Sequence, residues 1–187
     1  MLSREQRSRL LEVARRSVQA AVGRGPAPDL RTDDPDLLRV QGAFVTLHKH
    51  GELRGCIGHI EGQLPLIETV AEMAQAAALQ DPRFPPVSAL EEPEIDLEIS
   101  VISPLRVVER VDDIEVGRHG LVVSSGPRRG LLLPQVATEW GWDRDTFLCH
   151  TCLKAGLPQY AWQDRDVCIE SFEAEVFGEG DGYSQEG

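Results

Sequence analysis

The residues best suited to chemistry lie in Leu53-Arg54-Gly55-Cys56-Ile57-Gly58-His59, where two glycines bracket a cysteine in a strand-like run. Glycine weakens a strand interior, so a pair of them points to a bulge or to another group pressed against the backbone. In a regular strand Arg54 shares a face with Cys56, and a cation beside a thiol favours the nucleophilic thiolate. Backbone N–H groups around Gly55 and Gly58 would stabilise developing negative charge, and His59 is the histidine nearest in sequence to serve as base. The structural alternative for Cys56 is a small buried hydrophobe at a bulge, because free cysteine is among the most buried residue types.

Asp81-Pro82-Arg83-Phe84 is the second candidate. It reads either as a helix stop with Arg83 paired to an acidic neighbour, or as an arginine displayed for an anion. Cys149 and Cys152 have C-x-x-C spacing around His150, but the pair falls in mid-helix and no second pair completes four ligands, so core packing is expected and no metal site is assigned. His48 and His50 flank a turn. No phosphate-binding loop, dinucleotide fingerprint or G-x-S-x-G elbow is present, and no cofactor is expected.

These groups need a frame. Ser3 with Gln6 forms a capping-box pattern, and Leu10, Leu11, Ala14, Val18, Ala21 and Val22 mark one face of a helix that stops at Gly23. Proline and aspartate make residues 24–36 a loop. Strands over 42–47 and 53–57 form a hairpin around Gly51, and a helix over 65–79 ends at Asp81-Pro82. Residues 94–101 alternate, with Ile95, Leu97, Ile99 and Val101 on one face and Glu94, Asp96, Glu98 and Ser100 on a wet face, which favours antiparallel pairing. A second hairpin (121–125 and 130–133) turns at Gly126-Pro127. Two helices follow, over 134–140 and 144–155, the latter capped by Asp143. The last strand spans about 167–177, with a bulge expected near Glu170 where its apolar phase changes. A loose polar tail is expected from Gly178. Strands grouped in hairpins with flanking helices predict an α+β fold of antiparallel sheets, as one domain over residues 1–187.

Composition limits the functions this frame can serve. The chain has 187 residues, 41% hydrophobic and 27% charged, an ordinary globular balance. With 19 basic against 31 acidic residues its formal charge is −12, which disfavours binding to nucleic-acid phosphates. No run approaches a membrane span and the N-terminus lacks an apolar signal core, so a cytoplasmic protein with reduced thiols is expected. Only Lys49 and Lys154 are lysines.

In chain order, Gly42-Ala43-Phe44-Val45-Thr46-Leu47, Leu53-Arg54-Gly55-Cys56-Ile57-Gly58, Asp81-Pro82-Arg83-Phe84, Leu97-Glu98-Ile99-Ser100-Val101, Gly130-Leu131-Leu132-Leu133-Pro134-Gln135-Val136-Ala137 and Cys152-Leu153-Lys154-Ala155-Gly156-Leu157 closely resemble the AMMECR domain family. In bacteria and archaea this family appears as the A component of the AmmeMemoRadiSam system, and the resemblance runs from about residue 5 to residue 177. It implies two unequal lobes with the Arg54–Gly58 segment facing a cleft between them. It also implies a genetic association with a Memo-like protein of dioxygenase fold and a radical SAM protein. It names no reaction. His59 departs from the small hydroxyl residue frequent at that position, and Cys149-His150 is a second departure. With the resemblance, a functional Cys56 gains weight, as do Asp81, Arg83 and Lys154, and Gln135 joins them as a residue able to reach the cleft.

Two readings follow. In one, an enzyme or modification subunit uses Cys56 as nucleophile or covalent carrier, Arg54 and Arg83 bind an anionic group, and His59 or Lys154 moves the proton. In the other, the chain is a non-catalytic adaptor that binds a ligand or a partner protein, and Cys56 only packs.

Overall fold

The first helix forms where its caps predict. The Ser3 side chain accepts from the Gln6 N–H at 3.2 Å while the Gln6 side chain accepts from the Ser3 N–H at 2.8 Å, closing the box. The structure, a computed structural model, describes residues 1–181. The chain divides into two units, Met1–Ile102 together with the chain from Glu175, and Ser103–Ala174.

In the first unit, helix α1 (Arg4–Ala21) and helix α2 (Leu66–Leu79) pack together on one face of an antiparallel sheet. Its strands are β1 (Ala43–Lys49), β2 (Glu52–His59) and β3 (Ile95–Ile102), in the order β2-β1-β3. The β1–β2 turn is the pair His50 (φ 53) and Gly51 (φ 82), two left-handed residues as a tight hairpin requires. Ala43, Val45 and Leu47 of β1 and Ile95, Leu97, Ile99 and Val101 of β3 supply the sheet side of the core, against Leu10, Val13, Ala14, Leu66, Ile67, Val70 and Ala74 of the helices. The alternation in β3 is as expected, but its second face is not wet throughout: Ser100 and Ile102 are buried as well.

The second unit holds a short strand, β4 (Arg106–Val107), which the sequence reading missed. The hairpin β5 (His119–Ser125) and β6 (Arg128–Leu132) follows, then helices α3 (Pro134–Glu139) and α4 (Arg144–Lys154). The last strand, β7 (Cys168–Gly178), pairs antiparallel with β5 and β4 through its first half. Asp143 caps α4 by accepting from the Thr146 N–H at 2.8 Å. Leu121, Val123, Ala137, Phe147, Leu148, Cys152 and Ile169 form this unit's core.

Two expectations about the chain's end are corrected. The register of β7 against β5 runs from Ser124 opposite Cys168 to His119 opposite Glu173 without a shift, so no bulge lies at Glu170 in this pairing. The apolar phase changes because each face of β7 carries a buried residue in this stretch, Ile169 on one and Phe172 on the other. Ile169 belongs to the core with Leu121 and Val123, while Phe172 lies across Gly120, where an added Cβ would come 2.3 Å from its ring. Nor is the chain loose directly after Gly178. A 3-10 turn, Glu179–Asp181, follows, and Glu179 accepts from the Leu97 N–H at 2.9 Å and pairs with Arg15. The rest of the expected tail, residues 182–187, lies outside the described residues.

Candidate site around Cys56

The paired glycines do mark a bulge, and its position decides where the thiol points. Counting back from the turn, β1 and β2 pair regularly from Lys49 opposite Glu52 to His48 opposite Leu53; the next pair is Leu47 opposite Gly55. Arg54 is the extra residue. Were Arg54 paired in register with Leu47, Cys56 would face Val45 on the helix-covered side. With Arg54 extra, Cys56 stands opposite Thr46 on the other face. A one-residue slip reverses every side chain beyond it, so the bulge takes Cys56 out of the apolar core and leaves it half-buried, absent from the core cluster that includes Ile57. The Thr46 hydroxyl donates to Cys56 Sγ at 3.3 Å. Gly55 has its own reason: a Cβ there would come 2.3 Å from the Ala77 carbonyl oxygen, so only glycine lets α2 lie this close to β2.

At the bulge Arg54 no longer follows the regular alternation that would put it on the face of Cys56. Its guanidinium grips the Glu91 carboxylate through Nε at 2.8 Å and Nη2 at 3.0 Å, donates to the Pro85 carbonyl at 2.9 Å, and lies over the Phe84 ring. Arg54 is only 12% exposed. Hydrogen bonding by Arg54 first, then its charge and Lys49, brings the Glu91 carboxyl down to about 2 against a desolvation that opposes it. This is a closed ion pair inside the wall of the site. Glu91 escaped the sequence reading because nothing in its spacing sets it apart from Glu92 and Glu94.

Asp81 and Arg83 meet Cys56 at the backbone. Strand β2 is an edge strand, so the Cys56 N–H and C=O point away from β1. Asp81 Oδ2 accepts the Cys56 N–H at 2.8 Å, and Arg83 Nη2 reaches the Cys56 carbonyl at 3.5 Å. The two side chains are also joined, Arg83 Nε to Asp81 Oδ1 at 3.0 Å and Nη2 to Oδ2 at 2.7 Å, and Oδ1 accepts the Arg83 N–H at 3.0 Å. An edge that would otherwise offer unpaired backbone groups is thereby capped. Asp81 is almost wholly buried, whereas the Arg83 side chain is 54% exposed. The Arg83 hydrogen bond first, then the backbone donors of Cys56 and Arg83, holds the Asp81 carboxyl well below its usual range despite burial. Arg83 is raised in turn, mainly by its hydrogen bond to Asp81.

The remaining candidates make no side-chain hydrogen bond or ion pair with Cys56. His59 ends β2 three residues beyond Cys56, on the opposite face of the strand and about 10 Å along it, so it is not placed as a base for that thiol. Gln135 and Lys154 belong to the second unit, both exposed, Gln135 in α3 and Lys154 as the last residue of α4. Cys149 and Cys152 are buried in α4, and burial pushes the Cys152 thiol up, as expected of packing residues. Among the described residues no group of three or more His, Cys, Asp or Glu side chains could hold a metal ion, and no helix is long and apolar enough to cross a membrane.

A family model described as AMMECR1 matches residues 11–177. The chain belongs to the AMMECR1 family. A Methanothermobacter thermautotrophicus protein is 46% identical over 185 residues, covering 95% of this chain and 96% of that one. A Pyrococcus furiosus protein is 43% identical over 184 residues, covering 91% and 86%. The crystal structure of an uncharacterized protein from Pyrococcus horikoshii superposes with a TM-score of 0.80 at 41% identity, over 91% of this chain and 89% of that one. The AMMECR1 assignment thus spans both units, and the α+β architecture is that of a solved family member.

Proposed function

We propose that this AMMECR1-family chain is an enzyme or modification subunit in which Cys56 acts as nucleophile or covalent carrier on an anionic substrate. One observation carries the reading: the bulge at Arg54 turns Cys56 away from the helix-packed core and onto the face of Thr46. A cysteine needed only for packing gains nothing from that rotation. The Thr46 hydroxyl aimed at sulfur and the half-exposed guanidinium of Arg83 nearby are surroundings that stabilise negative charge. Arg83, not Arg54, is the cation offered to the substrate: both are ion-paired, but the Arg83 side chain is 54% exposed whereas that of Arg54 is 12% exposed. The reading does not call on His59, Lys154 or Gln135. Its test is trapping: wild-type chain incubated with cell extract should carry a covalent adduct on Cys56 by mass spectrometry, and Cys56→Ala should carry none. No adduct on wild type rejects the reading.

The commitment of Asp81 and Arg54 to internal contacts favours a second reading, a non-catalytic adaptor acting with Memo-like and radical SAM partners. Here Cys56→Ala should capture those partners as well as wild type does, whereas a variant of exposed Arg83 should capture them less.

A further inference from the structure

The second unit carries three flat rings in one stack. Trp140 and Trp142 lie 6.3 Å apart with planes 19° from parallel, and the His150 ring stacks on Trp142 at 4.0 Å and 4°. Two of the chain's three tryptophans are here, and Trp140 is 70% exposed. Leaving an indole in water forfeits the burial that usually justifies the residue, so an exposed, stacked tryptophan points to a ligand.

The stack is built by the junction of α3 and α4. The Trp140 N–H closes α3 onto the Val136 carbonyl at 3.2 Å, Gly141 turns the chain with φ +64, and the Trp142 N–H returns to the Ala137 carbonyl at 2.8 Å. Trp142 packs against the unit's core, and α4 brings His150 onto it. The rings are therefore held before any ligand arrives, which lowers the ordering cost of binding.

The charge around them has one sign. Glu139, Asp143 and Asp145 are exposed within four residues of Trp140 or Trp142. The one cation in that stretch, Arg144, is taken by Asp112 at 2.9 Å and lies 3.9 Å from Asp145. A nucleotide would stack its base here but bring phosphate to carboxylates, and a sugar would gain nothing from the charge. A guanidinium is flat, stacks on indole and donates to carboxylates at its edge.

We propose that the Trp140–Trp142–His150 stack, with exposed Glu139, Asp143 and Asp145 as its neighbours along the chain, is a docking site for an arginine side chain of a partner protein.

The test titrates the chain with a pentapeptide holding two arginines between glycines, and with the same peptide carrying citrulline, a neutral isostere of arginine. The Trp140 indole N–H is followed by NMR. Saturable shifts with the arginine peptide, about ten-fold weaker binding by the citrulline peptide, loss of affinity on raising salt and loss of binding in Trp140→Ala support the proposal. Exposure of the Trp140 side chain makes that variant safe for folding. Equal binding of both peptides, binding that survives Trp140→Ala, or tighter binding of adenosine monophosphate or maltotriose at the same indole would overturn it.

Discussion

Asp81 serves strand edge and arginine with one buried carboxylate, accepting from the Cys56 N–H, the Arg83 N–H and the Arg83 guanidinium. Asp81→Asn keeps the shape but turns an NH2 group toward donors. It should cost about 2–3 kcal/mol in urea unfolding; a change below about 0.5 kcal/mol would mean the edge cap is dispensable. The two arginines near the thiol should separate by assay. Arg83→Gln should slow alkylation of Cys56 several-fold, while Arg54→Gln should lower stability and leave the alkylation rate unchanged, because its partner is Glu91. At this scale the sequence reading found Cys56, Arg54, Asp81 and Arg83 and expected an acidic partner for Arg83, which is Asp81, but not the pairing of Arg54 with Glu91. Arg54 and Glu91 are 37 residues apart, and no spacing rule links a bulged residue to a loop carboxylate.

The hairpin element converts a strand's spacing into a site. Paired glycines announced a bulge or a close approach, and both are present, but which residue is extra depends on the turn. With His50 and Gly51 as its two central residues, regular pairing would put Val45 opposite Cys56, and the extra residue Arg54 is what puts Thr46 there instead. Thr46 was overlooked for that reason. Strong periodicity made α1, α2 and β3 legible, whereas β4 is two residues long and carries no pattern, and β7 misled because single buried residues on opposite faces, Ile169 and Phe172, imitate a phase slip. Gly55→Ala should be destabilising by about 3 kcal/mol or more, since its Cβ meets a helix carbonyl that cannot swing aside. Gly25→Ala, with nothing within 4 Å of its Cβ, should stay within about 0.5 kcal/mol of wild type. Comparable melting temperatures for the two variants would mean that α2 yields easily.

Across the whole molecule, a formal charge of −12 coexists with carboxylates tied to arginines, and acid should undo those ties in a defined window. Glu91 is lowered from 4.5 to about 2 in the folded chain, so its stabilisation is complete above pH 4.5 and is lost as pH falls toward 2. Asp81, lowered from 3.8, adds its loss below that value. Glu91→Gln should therefore be less stable than wild type at pH 6, and the gap should narrow as pH falls toward 2 and through it, where wild-type Glu91 takes up its proton; a gap that does not narrow would deny the pairing with Arg54. Grouped hairpins and flanking helices made the α+β class readable from sequence, and ordered motifs along the chain carried the family. Reaction chemistry was not readable, because it rests on long-range contacts that no local pattern encodes.

The central claim is that a bulge turns Cys56 out of the core to act as a reactive thiol. Its most direct test is site-resolved alkylation of the native chain at neutral pH, with mass spectrometry separating the four cysteines. The account predicts that half-buried Cys56 reacts faster than exposed Cys168, while buried Cys149 and Cys152 stay protected. If Cys168 outpaces Cys56, or Cys56 is as protected as Cys149, the thiol is a packing residue and the claim fails.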